Sequence, residues 1–363
     1  MSESFDTFAH GVMSGRDRSA KALALRALTR IAEPFYAGAM RVRNALYDHG
    51  LFKTHRLPRP VISVGNITTG GTGKTPIVCW LANELIKAGH HPAVLLRGYK
   101  GTLSGLSDEA NLIAQIVGPD APVGANADRV EIANKVLAHR PGVEVFLLDD
   151  AFQHRRVDRD FNLVLLDATS PFGFGHVLPR GMLREPLAGL RRADAVLITR
   201  VDQVSKEELI QISDTLLRVI PDTPVLQASF ELDATSIRGK KVFAFCGIGN
   251  PSVFFRQLAQ SGAEVVDRRT FADHHPYSAA DIAALQNAAG SAGADLLVTT
   301  QKDLVRFFSL DKKQYAIPIV AVGQTVRMSE QDSQRLLAWA KSVIVRSAPA
   351  GPSAARGSDS EAR

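Results

Sequence analysis

The residues with the most chemical content lie between Val61 and Thr75: Val-Ile-Ser-Val-Gly-Asn-Ile-Thr-Thr-Gly-Gly-Thr-Gly-Lys-Thr. Gly70, Gly71 and Gly73 lack a Cβ, so consecutive backbone N–H groups can curl around phosphate oxygens. A helix N-terminus placed directly after them adds partial positive charge. Lys74 can reach the β- and γ-phosphates of a triphosphate, and Thr75 can offer its hydroxyl to Mg²⁺. Val61 to Val64 reads as a buried strand, and Ile77 to Ala88 as a helix that tolerates Pro76 in its first turn. Strand, glycine loop, Lys-Thr and helix make the layout of a P-loop. Thr68 stands where the common G-x-x-x-x-G-K-[ST] spacing has glycine, so the loop is a variant one. The candidate nucleotide-binding residues are Thr68, Thr69, Gly70, Gly71, Thr72, Gly73, Lys74 and Thr75.

The second chemical signal is Asp149-Asp150, at the end of the apolar run Val143 to Leu148. Unpaired carboxylates at the end of a buried strand are costly unless they serve a cation. This is the arrangement that holds Mg²⁺ in nucleotide-hydrolysing and kinase folds. The candidate metal residues are therefore Thr75, Asp149 and Asp150. Arg97 ends the strand Pro92 to Leu96, where open parallel sheets face their ligand crevice. Asp108 opens the helix after that loop, either as a dipole-matching carboxylate or with a catalytic role. Arg180 and Arg184 lie in an irregular Gly/Pro-rich loop, 173–187, and could meet phosphate. Thr199-Arg-Val-Asp202 has arginine where a guanine-reading motif has lysine. Phe271-Ala-Asp-His-His-Pro276 could supply a base, a metal ligand or a cap.

These residues need a scaffold of alternating strands and helices. The expected fold is α/β: a P-loop NTPase-type doubly wound parallel sheet, a second smaller α/β/α domain, and N-terminal amphipathic helices. The expected divisions are 1–58 for the helices, 59–230 for the P-loop domain, 231–345 for the second α/β domain, and 346–363 for a disordered Ala/Ser/Gly/Pro-rich tail. Residues 1–15 show no period and are expected to be loose. Lys21 to Ala32 and Phe35 to Tyr47 read as two helices punctuated by Pro34. Residues 1–59 hold ten Lys or Arg against five Asp or Glu. Basic amphipathic helices with aromatic flanks suit either an anionic membrane surface or the flank of the catalytic domain. Nucleic acid is disfavoured, because no dense basic tract or known motif accompanies them.

Hydrophobic content of 45% and charged content of 22% are those of a soluble globular chain. Cys79 and Cys246 sit in apolar runs and read as buried thiols in a reducing compartment. No signal peptide and no run of 18 apolar residues is seen.

Taken together, the motifs resemble the tetraacyldisaccharide 4'-kinase family of lipid A biosynthesis. The residues that carry the resemblance are Ser63-Val-Gly-Asn-Ile67, Gly70-Gly-Thr-Gly-Lys-Thr-Pro76, Arg97-Gly-Tyr99, Ser107-Asp-Glu109, Ala127-Asp-Arg129, Asp149-Asp-Ala-Phe-Gln-His154, Leu178-Pro-Arg-Gly-Met-Leu-Arg-Glu-Pro186, Phe271-Ala-Asp-His274 and Thr299-Thr-Gln-Lys-Asp303. Ala151 departs from the glycine of the family pattern. The resemblance implies transfer of the γ-phosphate of ATP, with Mg²⁺, to the 4'-hydroxyl of tetraacyldisaccharide 1-phosphate, giving lipid IVA. It implies a peripheral or monotopic protein on the cytoplasmic face of the bacterial inner membrane. No nucleic-acid partner and no obligate protein partner are expected. The resemblance suggests Asp108 as the base, assisted by His274 from the second domain, with Lys74 as the third catalytic residue. Arg97, Asn66, His154 and Arg184 are then the substrate candidates. The competing expectations are a GTPase or metallochaperone using Thr199 and Asp202, and a membrane-recruited nucleotide-binding adaptor.

Overall fold

The computed structural model describes residues 2–98, 107–248, 251–273, 275–307 and 315–347. Two helices come first, α1 (Ser2–Ser14) and α2 (Ala20–Asp48), followed by alternating elements: β1 (Val61–Asn66), α3 (Lys74–Lys87), β2 (Pro92–Leu96), α4 (Asp108–Val117), β3 (Val123–Ala125), α5 (Arg129–His139), β4 (Val145–Asp149), β5 (Phe161–Asp167), β6 (Ala195–Thr199), α6 (Lys206–Val219) and β7 (Val225–Leu232). The second half contains β8 (Lys241–Cys246), α7 (Pro251–Gln260), β9 (Glu264–Thr270), α8 (Ala279–Ser291), β10 (Leu296–Thr300), α9 (Gln301–Phe307), β11 (Ile319–Val322), β12 (Gln324–Met328) and α10 (Glu330–Ser347).

The large sheet has the order β12-β7-β6-β5-β1-β4-β2-β3, and the small one β11-β10-β8-β9. Every pairing is parallel except β12 with β7. Strands β1, β2, β4 and β6 are buried along their whole length, as parallel strands covered on both faces must be. The side-chain period of two divides them: Leu163 and Leu165 pack with α3 and α10, while Val164 and Leu166 pack with α6 on the other face. The small sheet has its own core around Val242, Ala244, Phe254 and Val298.

Three expectations change. Residues 2–14 are helical, not loose. Residues 20–48 form one continuous helix of 29 residues with Pro34 inside it. An internal proline removes one hydrogen bond and costs about 3 kcal/mol. Tertiary contacts on its C-terminal half offset that: the Tyr36 hydroxyl donates to the Arg184 carbonyl at 2.8 Å, and Asn44 Nδ2 donates to Glu185 Oε2 at 2.8 Å. Finally, β12 and α10, expected with the second α/β domain, return to the large sheet. Leu336, Ala340, Val343 and Ile344 bury themselves against its core because β12 pairs antiparallel with β7 and carries the chain back. The tail from residue 348 onward lies outside the described residues.

Candidate active site

The P-loop follows β1 and is pinned on two sides. The Thr69 N–H donates to the Met182 carbonyl at 2.7 Å, and Thr68 bridges to Leu183. Thr199 Oγ1 donates to the Thr72 carbonyl at 2.9 Å, and Arg200 Nη2 to the Gly71 carbonyl at 2.7 Å. The Thr69 amide is therefore committed to the protein and not to a ligand. Gly73 is the N-cap of α3 at φ +87°, and a Cβ there would lie 2.3 Å from Phe230 Cζ. Only glycine fits that position. Arg200 also pairs with Asp167 and stands over the Phe230 ring. The arginine that interrupts the guanine-reading motif is thus a brace for the loop.

Val64 of β1 pairs with Asp149 of β4, so the strand that ends in two carboxylates runs beside the strand that feeds the loop. Asp149 is buried, and its carbonyl accepts from Arg129 Nη2 at 3.1 Å. Burial, reinforced by the Glu109 and Asp150 carboxylates and opposed by Lys74, pushes the Asp149 carboxyl up to about 7. Its Oδ1 has no hydrogen-bond partner among the described residues. Asp150 adopts a left-handed backbone, φ 49°, which turns its side chain out of the strand direction. It receives Lys74 Nζ at 3.5 Å and Arg184 Nη1 at 2.8 Å. Although burial acts against ionisation, these two cations hold its carboxyl below the usual range. Thr75 Oγ1 donates to Glu109 Oε1 at 3.3 Å.

A polar network ties α2 to this cluster. Arg184 Nη1 also reaches Gln153 Oε1 at 3.3 Å, and Gln153 Nε2 donates to Glu185 Oε1 at 3.0 Å and to the Asn66 carbonyl at 2.9 Å. Glu185 is wholly buried and accepts from Asn44 and, at both oxygens, from Arg192. Asn66 is wholly buried, and neither of its side-chain polar atoms has a partner among the described residues. His154 is held neutral: burial, and then Arg129 with Arg159, Arg156 and Arg97, pushes its pKa down to about 4. Its buried Nε2 is likewise without a partner among the described residues. Arg97 belongs to the cationic surroundings of His154.

Ser107, not Asp108, caps α4: the Ser107 hydroxyl accepts from the Ala110 N–H. Asp108 is half exposed and meets Arg306 of α9, Nε to Oδ2 at 3.4 Å. His274 lies outside the described residues, as do 99–106. His275 is engaged, stacked on Phe271 and bonded to Asp281 at 3.2 Å. The Gly247 N–H, just after β8, is bonded to Asp303 and is not presented to a ligand. A cavity of about 710 Å³ is lined among others by Thr169, Asp202, Gln203, Phe230, Arg256 and Gln257; its link to the P-loop is Phe230, the ring that fills the space at Gly73.

Glu109, Arg129, Arg200 and Arg306 were not read as site residues from the sequence. Glu109 and Arg129 stand inside motifs whose neighbouring residues carry the stronger signal. In the sequence Arg200 shows only as a lost lysine, and Arg306 carries no local signal at all.

The chain has known counterparts. The family model for tetraacyldisaccharide-1-P 4'-kinase (LpxK) matches residues 25–341. A tetraacyldisaccharide 4'-kinase of Syntrophus aciditrophicus is 37% identical over 353 residues, covering 88% of this chain and 92% of that protein. One from Desulfatibacillum aliphaticivorans is 38% identical over 313 residues, covering 78% and 84% respectively. The crystal structure of LpxK from Aquifex aeolicus in complex with ATP superposes with a TM-score of 0.67 at 28% identity, covering 88% of this chain and 99% of that one. The chain belongs to the tetraacyldisaccharide 4'-kinase family of lipid A biosynthesis.

Proposed function

We propose that this chain moves the γ-phosphate of ATP to the 4'-hydroxyl of tetraacyldisaccharide 1-phosphate in the crevice above β1 and β4. The observation that carries this reading is that Lys74 and Arg184 meet at Asp150, while Thr75 meets Glu109, the chain neighbour of Asp108. Phosphoryl transfer asks mainly for charge neutralisation and in-line placement. Lys74 and the amides of the 70–75 loop would bind the triphosphate, and the cavity beyond Phe230 has room for the nucleoside. Asp108 would take the proton of the sugar hydroxyl, with His274 as its partner. Asn66, His154, Arg97 and Arg184 would line the acceptor side, where a neutral His154 can donate or accept a hydrogen bond without adding charge.

The residues fit a divalent ion. Asp149 has a buried, unpartnered carboxylate oxygen, and the burial that raises its pKa, with Glu109 and Asp150 adding to it, is a setting that a cation relieves. No group of three or more His, Cys, Asp or Glu among the described residues holds a metal by itself. Mg²⁺ would therefore share Thr75, Asp149 and Asp150 with phosphate oxygens and water. When bound, it would neutralise charge developing on the phosphates.

No helix among the described residues is long and apolar enough to cross a membrane. Helix α2 nonetheless exposes Leu28, Ile31, Phe35 and Val42 along one side. With exposed Lys21, Arg30 and Arg41, that stripe would seat the chain on the cytoplasmic face of the inner membrane.

The test is transfer of labelled γ-phosphate to tetraacyldisaccharide 1-phosphate in detergent, with Lys74→Ala and Asp108→Ala alongside. Labelled lipid that collapses in both variants is the expected result. Label released only as free phosphate would overturn the reading.

A further inference from the structure

We propose that Arg306 is a positioning residue for Asp108, delivered by the small sheet to the carboxylate that takes the acceptor proton. The proposal rests on the reading of Asp108 as the base. The Thr299-Thr-Gln-Lys-Asp303 motif explains how the arginine is fixed. Asp303 is wholly buried and accepts from the Gly247 N–H at 3.1 and 3.2 Å and from Thr300 Oγ1 at 2.7 Å. Arg306, one turn later on α9, donates from Nη1 to Asp303 Oδ1 at 3.2 Å and to the Gly247 carbonyl at 3.2 Å. Its side chain is 8% exposed, whereas that of Asp108 is 49% exposed. The guanidinium is thus set in advance by its own domain, and the carboxylate is the mobile partner.

Ser107 supplies the cap of α4, so the Asp108 side chain, a first-turn carboxylate, is not tied to the helix backbone and is left to meet Arg306. An ion pair with one half-exposed partner adds little to stability. What the contact does is orient one carboxylate oxygen, and it does so only while α9 rests on α4. A planar guanidinium fixed by two other bonds gives up little freedom in making this third one. The base is therefore aligned by a residue that the small sheet delivers across the contact between α9 and α4.

The test is single-turnover and steady-state kinetics of Arg306→Ala, Arg306→Lys, Asp108→Asn and the double variant Asp108→Asn/Arg306→Ala. Arg306→Ala should lower kcat by about ten- to a hundredfold, within the range of general-base effects, and leave KM for ATP within about twofold. Arg306→Lys keeps the charge but not the fork that bonds Asp303 and Asp108 at once, and should recover only a small part of that loss. In the Asp108→Asn background, Arg306→Ala should cost no more than about twofold, since both act through one group. The proposal is overturned if Arg306→Ala keeps wild-type kcat, or if it costs the same factor with and without Asp108. Asp108→Asn with wild-type kcat would instead remove the base assignment, and with it any action of Arg306 through it. A slow Asp108→Asn beside a normal Arg306→Ala removes only the positioning role.

Discussion

Asp149 and Asp150 are sequence neighbours with opposite electrostatic fates. Asp150 faces Lys74 and Arg184 and stays readily ionised, while Asp149 is buried with Glu109 nearby and titrates at about 7. The sign of the pH dependence follows. Between the ordinary value of 3.8 and about 7, the folded, nucleotide-free chain holds a proton on Asp149 that the unfolded chain has lost. Stability contributed by that group therefore falls as pH rises through this window. Asp149→Asn should flatten the fall between about pH 4 and 7 and raise Tm at pH 8 by roughly 1–2 °C, an effect on the order of 1 kcal/mol. Superposable melting curves for variant and wild type would show that the carboxyl ionises normally. Arg200 is a second residue whose role is electrostatic support. Arg200→Ala removes a charged hydrogen bond to the Gly71 carbonyl, worth about 1.5–3 kcal/mol, and should raise the ATP dissociation constant about tenfold or more by calorimetry.

Helix α2 works through both of its faces. One face is polar and specific: Tyr36, Arg43 and Asn44 bond to Arg184, Gln153 and Glu185, so the helix braces the cluster that holds Asp150. The other leaves Leu28, Ile31, Phe35 and Val42 in solvent, at spacings that place them in one stripe. Burying each such side chain is worth about 1.5–3 kcal/mol. Leu28→Glu combined with Phe35→Glu should reduce co-sedimentation with anionic vesicles at least tenfold and leave nucleotide affinity unchanged. Undiminished sedimentation would mean that another surface faces the lipid. At the other end of the site, the start of α3 is fixed by Gly73 against Phe230. Gly73→Ala meets both a positive φ and an occupied space, and should cost about 1–3 kcal/mol in thermal stability while weakening nucleotide binding.

At the scale of the molecule, the chain leaves the large sheet after β7, builds the small sheet, and returns through β12 and α10. Leu336, Ala340, Val343 and Ile344 then complete the core over α3, the helix that begins with Lys74. Ending the chain after Met328 should expose that core and abolish cooperative unfolding in a thermal melt. A truncated protein that melts as wild type does would mean that α10 is dispensable to the core. The same return path places the small sheet where α9 rests on α4 and Arg306 meets Asp108.

What the sequence determined by itself was local. The run from Val61 to Thr75, the double Asp after β4, and the alternation of apolar strands with capped helices are written in neighbouring residues, because periodicity, glycine and capping act over a few positions. The same locality limits the rest: Pro34 reads as a break between two helices because its cost is local and its compensation is not, and no local signal sets β12 on the large sheet, because its partner β7 is nearly a hundred residues away. Only the tertiary structure could decide that Arg200 braces Gly71, that Glu109 reaches Thr75, that Glu185 joins α2 to Gln153, and that Arg306 of the small sheet faces Asp108. Each of these pairs is far apart in the chain. Its geometry depends on the packing of whole sheets, which no local pattern specifies.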